Sequence, residues 1–251
     1  MSDKNERIKQ ILVIVATAGV ILINYLAGTG RIAGVTPEMI SDKYPTLLTP
    51  AGYAFSIWGL IYFGLLAFSI FQFTSAANAA RYAKIRSLYI LSCAANCAWI
   101  WLWHHEQIVL SLIAIFVLLG TLVLINIQLI KTESPAEFLA ARLPFNIYFG
   151  WVTAASVVNF AIAMVFLGVK TTDSTAAFLA CVLMVAVTIL GIVIRIKLAN
   201  AAFAVAVAWA LTAIAVKQNH QTNLIIVAAF GVIALLISAL TYFLQTPKTI
   251  E

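Results

Sequence analysis

Apolar positions in this chain fall into eight blocks, each near the length of a bilayer crossing, with short polar clusters between them. The longest stretch free of charge is Tyr44 to Ala80, thirty-seven residues that open YPTLLTPAGYAFSIWGLIYFGLLAF. Pro45 and Pro50 restrict the backbone where the chain enters the block, and no further proline interrupts it before Phe73. At 1.5 Å per residue, the ~20 residues needed to cross hydrocarbon fit inside it.

The same pattern predicts helices over roughly Ile8–Ala27, Ala51–Phe73, Ser87–Trp103, Ile108–Ile130, Leu143–Val169, Ala176–Ile194, Leu198–Val216 and Asn223–Leu244. The third is short enough that an extension back through Tyr82 is expected. Pro37-Glu38, in the long loop from Gly28 to Thr49, reads as the start of a short interfacial helix. Ser134-Pro135-Ala136-Glu137 is a second such start. The four-residue turn His104-His105-Glu106-Gln107 makes its flanking helices antiparallel neighbours.

Composition turns this pattern into a solvent. Apolar residues make up 63% of the chain and charged residues 10%. Soluble domains carry about 45–50% and 25%. The expected class is therefore an all-α, polytopic membrane protein with eight transmembrane helices. The block from Gln10 to about Gly30 is longer than a signal h-region and reads as a retained first helix.

The net charge of +6 comes from loops, without a basic stripe interleaved with aromatics, so no nucleic-acid partner is expected. With both termini on one side, that side carries Lys4, Arg7, Lys9, Arg81, Lys84, Arg86, Lys131, Arg142, Arg195, Lys197 and Lys248. The other carries Arg31, Lys43, Lys170 and Lys217. This bias predicts an inner (plasma) membrane protein with both ends in the cytoplasm.

Candidate chemistry is sparse. Cys93, Cys97 and Cys181 lie in apolar blocks and read as packing residues. His104, His105 and Glu106 lack a third ligand and read as a solvated turn. No acid or lysine occupies a helix centre, which argues against a proton relay, a Schiff base or an enzyme. No metal or cofactor is expected. Polarity within the blocks is mostly amide: Asn24, Gln72, Asn96, Asn126, Gln128, Asn146, Asn159 and Asn200. Lipid cannot hydrogen-bond an amide, so these groups should face other helices or a cavity. Trp58 and Trp151 suit a bundle interior, whereas Trp101 and Trp103 read as an interfacial belt. Trp151 and Asn159 flank the small residues Ala154 and Ala155, a concave wall suited to a flat apolar ligand.

Three segments, in order, resemble the TspO/MBR family, the tryptophan-rich sensory proteins that include the mitochondrial translocator protein. Pro50 to Tyr62, PAGYAFSIWGLIY, is similar to the family's second helix. Asn96-Cys97-Ala98-Trp99 resembles its third, and Tyr148-Phe149-Gly150-Trp151, continuing to Ala155 and Asn159, its fifth. The similarity covers residues 8 to 169. It implies a five-helix core over 1–169, followed by a three-helix extension over 170–251. It also implies a cavity for porphyrins or other tetrapyrroles, or sterol-like molecules, with roles in transport or sensing, and a homodimer in several members. The cavity residues it implies are Trp58, Tyr62, Asn96, Trp99, Tyr148, Trp151, Ala155 and Asn159. This chain departs from the family pattern at Ser56 and Ile147, where the family has proline, with Pro144 a turn before Tyr148. Arg86, Tyr89 and Leu91 spell a reversed sterol-type pattern. A small-solute transporter and a purely structural membrane protein stay open as alternatives.

Overall fold

A computed structural model describes residues 3–74, 77 and 80–244. The tail around Pro247 and Lys248 lies outside the described residues. The helices are α1 (Asp3–Gly28), α2 (Pro37–Lys43), α3 (Ile57–Phe71), α4 (Ala80–His104), α5 (Ile108–Gln128), α6 (Pro135–Glu137), α7 (Leu143–Phe166), α8 (Asp173–Leu198), α9 (Ala201–Lys217) and α10 (Thr222–Leu244). A 3-10 turn, Gly52–Ser56, leads into α3. Among the described residues, seven spans are long and apolar enough to cross a membrane, and Ala201–Lys217 is a shorter apolar helix. An all-helical answer is what hydrocarbon demands, because a helix satisfies its own backbone hydrogen bonds. The chain is thus a multi-pass membrane protein.

Contacts at the two ends show that successive blocks run in alternating directions through the bundle. At the end holding the N-terminus, Arg86 Nη1 donates to Glu6 at 2.9 Å, Arg81 reaches the Lys131 carbonyl, and Arg195 reaches Thr241. At the opposite end Lys43 meets Glu106, Lys217 meets Asp42 at 3.0 Å, and the Tyr44 ring packs on Phe166.

Local sequence explains the joins. Thr36 caps α2 by accepting from the Met39 backbone, with Pro37 at the first helical position. Ser134 does the same for α6, ahead of Pro135. Between α6 and α7, residues Phe138–Arg142 form a π-helical turn, so that Pro135–Phe166 is one continuous apolar span with an inserted bulge. The fourth helix begins at Ala80, as its short apolar block required.

Helix α9 sits inside the bundle rather than at its edge. It touches α7, α8 and α10, and its alanines belong to the same hydrophobic core as Trp99, Tyr148 and Trp151. The approach to α7 is close because Gly150 has no side chain: a Cβ there would stand 2.6 Å from the Phe203 carbonyl. Gly64 serves α3 in the same way, since a Cβ would lie 2.6 Å from Cβ of Pro144. Residues on either side of position 169 therefore share one core.

Candidate ligand-binding site

The third, fourth and seventh helices turn their aromatic faces toward one another. Trp58 of α3 stacks on Tyr62 one turn later, with ring centroids 5.6 Å apart and planes 16° from parallel. It also meets Trp99 of α4 at 5.7 Å, and the edges of Tyr148 and Trp151 of α7 at 5.8 and 6.2 Å. Offset and edge-to-face contacts of this kind suit ring quadrupoles.

Amides hold the rings in place. Asn24 Nδ2 of α1 donates to Asn96 Oδ1 at 2.7 Å, and Asn96 Nδ2 donates to the Tyr148 hydroxyl at 2.8 Å. Trp99 Nε1 donates to Asn159 Oδ1 at 3.1 Å, while Asn159 Nδ2 donates back to the Ala155 carbonyl. Asn126 and Asn200 form a separate link, at 3.1 Å, between α5 and the start of α9.

Beside these rings lies a cavity of about 40 Å³. Of the eight expected residues, Trp58, Trp99, Trp151, Ala155 and Asn159 line it. Tyr62, Asn96 and Tyr148 stand behind that wall, bracing Trp58 by ring contact and by the amide chain. Among the described residues, two lining groups have no hydrogen-bond partner: Trp151 Nε1 and Ser41 Oγ, on residues that are 4% and 2% exposed. A cavity of this size holds on the order of one or two water molecules.

Several wall residues escape sequence reasoning. Trp103 is not part of a belt: it is 3% exposed, lines the cavity, and donates from Nε1 to the Pro37 carbonyl at 3.2 Å. Its spacing from Asn96 and Trp99, seven and four residues, places it on their face and was the available signal. Trp101 is half exposed and packs its ring on His105. Ala210 and Ile214 of α9 complete the far wall. The 3-10 turn is tied to that helix, with Ala51 N donating to Ala213 and Trp209 Nε1 donating to the Ala54 carbonyl.

The cavity roof is the loop carrying α2, through Pro37, Ser41 and Pro50. Lys43 and Tyr44 both donate to the Glu106 carboxylate, at 2.7 and 2.6 Å, which pins the roof to the turn between α4 and α5. Gln218 Nε2 donates to the Thr46 carbonyl from the other side. Glu106 is therefore a tether, not merely a solvated residue, and His104 beside it is buried at 2% exposed. The Lys43 hydrogen bond, followed by that from Tyr44, holds the Glu106 carboxyl below its usual range. The same carboxylate pushes the Tyr44 phenol up to about 12.

The reversed sterol-type pattern is consumed internally. Arg86 is buried against Gln72, Glu6 and Ala77, and the Tyr89 hydroxyl meets Thr17 at 2.6 Å. Among the described residues no group of three potential ligands is placed to hold a metal ion.

The family described as TSPO-like protein matches the chain over residues 10–242, which takes in α8, α9 and α10 as well as the first five spans. No curated protein and no solved structure matches it.

Proposed function

Because the chain belongs to the TSPO-like protein family, we propose that it binds a flat, largely apolar ligand such as a porphyrin in the cavity beneath α2. The observation that carries this reading is the pair of unpartnered buried groups, Trp151 Nε1 and Ser41 Oγ, on the wall of an otherwise apolar aromatic cavity. A buried donor without an acceptor is unfavourable by about 1–3 kcal/mol, so it suits a site completed from outside. The ligand then supplies an acceptor to the indole N–H while its face packs against Trp58 and Trp99.

Entry requires the roof to lift, since the closed cavity is far smaller than the roughly 300–1,000 Å³ of small-molecule sites. The roof is built for that movement: it is anchored by a few polar ties, while the walls are whole helices. Release of the Lys43–Glu106–Tyr44 tie is the gating step in this reading. The polar groups between helices are paired in short links, Asn24 to Asn96 to Tyr148 and Trp99 to Asn159, which suits a binding site better than a continuous solute path.

Titration of purified protein with protoporphyrin, followed by quenching of tryptophan fluorescence, tests the proposal. Saturable quenching is expected, and Trp58→Phe and Trp151→Phe should each weaken binding by about 1 kcal/mol or more. Equal affinity in the wild type and both variants would remove the cavity from the argument. Orientation in the inner membrane with both termini cytoplasmic belongs to the same proposal, and labelling of introduced cysteines from either side tests it.

A further inference from the structure

Away from the central cavity, a groove of about 490 Å³ runs along the outside of the bundle between α3, α7 and α9. Ala202 makes it deep, and Leu60, Ile147 and Val205 make it apolar. Leu60 and Val205 are exposed, so the groove opens sideways, toward lipid. Asn146 also lines it. That residue is only 4% exposed, yet its amide makes no side-chain hydrogen bond among the described residues. An amide held in such surroundings needs a partner from the groove's occupant.

Behind one end of the groove stand two arginines, which touch its lining residues Ala199 and Tyr242 without lining it themselves. Arg142 lies one turn from Asn146 on the same face of the span. It is 6% exposed and donates from Nη2 to the carbonyls of Leu198 and Ala199, at 3.1 and 3.0 Å. Arg195 is also 6% exposed; its Nη2 donates to Thr241, its Nε has no partner, and its guanidinium lies 5.9 Å from the ring of Tyr242, itself a groove residue. Neither arginine forms an ion pair with a carboxylate among the described residues. Two buried arginines without a carboxylate partner among the described residues thus stand behind the end of an apolar slot, at the same end of the molecule as the N-terminus, with Arg142 held only by the C-terminal carbonyls of α8.

We propose that this groove is a binding site for an anionic glycerophospholipid. Its phosphate neutralises Arg142 and Arg195, an ester carbonyl accepts from the Asn146 amide, and one acyl chain lies along Leu60 and Val205. The order of polarity matches: four residues of helix separate Arg142 from Asn146 by about 6 Å, the scale of a glycerol linker between phosphate and ester. Net negative lipid is selected because the arginines carry charge that a zwitterionic headgroup leaves unbalanced.

The test is lipid retention. Full-length protein is reconstituted in nanodiscs of equal phosphatidylglycerol and phosphatidylcholine, released into detergent, and weighed intact by native mass spectrometry. Phosphatidylglycerol should be retained at least tenfold over phosphatidylcholine. Ala202→Phe, which fills the slot and leaves both arginines in place, should cut that retention at least fivefold, as should Arg195→Gln. The Ala202 variant keeps the test decisive even where loss of a buried arginine unfolds the bundle. Equal retention of the two lipids, retention indifferent to Ala202→Phe, or a lipid-free dimer would each overturn the proposal. Protoporphyrin affinity of Ala202→Phe, measured in parallel, reports on the central cavity separately.

Discussion

Glu137 is 1% exposed and accepts hydrogen bonds from Arg81, from the Tyr82 hydroxyl at 2.7 Å and from the Glu133 backbone at 2.7 Å. It joins α4 to the start of the seventh helix just before the π-helical turn. Removing one partner of a buried pair leaves the other charge desolvated. Glu137→Gln should therefore destabilise the protein by about 3 kcal/mol, read as a lower thermal midpoint in detergent. Arg81 is partly exposed, so the effect belongs at the low end of the range for buried pairs. The sequence marked Glu137 as the end of a helix start and offered no sign of its burial. Which side chain closes an ion pair depends on a contact across 55 or more positions, and no local pattern carries it.

At the scale of elements, glycine decides where helices meet. Gly150→Ala would drive a methyl group into the α9 backbone, so the two helices must part; a loss of about 1–3 kcal/mol is expected. Gly59→Ala, with nothing within 4 Å of the added carbon, should be neutral or stabilising by up to about 1 kcal/mol. A denaturation series in one detergent distinguishes the two, and equal effects would show that the α7–α9 approach is not tight. The helices themselves were legible, because long apolar blocks between charged clusters have few other readings. So was the inward turn of Trp58, Trp99 and Trp151, through their spacing with Tyr62, with Asn96, and with Tyr148 and Asn159 respectively. The alanines of α9 do mark a slim helix suited to close packing against the core; that it walls the cavity through Ala210 and Ile214 has no local signal, because that depends on its approach to Gly150.

At the scale of the molecule, the Glu106 carboxylate, with two donors, is one of the roof's ties, beside those from Gln218, Lys217 and Trp103. Its pKa lies below that of a free carboxyl in the folded state, so the stabilisation from the tie is complete above the ordinary carboxylate range, about 4.3. It is lost as pH falls through the lower folded value. The Tyr44 phenol, raised to about 12, sets the other limit: its share is complete below about 10 and lost as pH rises past 12. Release of a porphyrin from the proposed site should accordingly be flat between pH 6 and 9 and speed up in acid. Glu106→Gln, which removes the charge, should release faster at neutral pH. Stopped-flow dissociation measures both, and a variant as slow as wild type would detach the tie from gating.

The place of α9 in the bundle also bears on biogenesis. Its partners at Ala51, Ala54 and Gly150 are all made before it, and their contacts wait on residues translated later. With 17 residues, about 26 Å of helix, it is also short of the ~20 residues that cross hydrocarbon. The ribosome must therefore deliver α9 before the chamber has its last wall, and a nascent chain halted after α7 would hold its tryptophans beside an open flank.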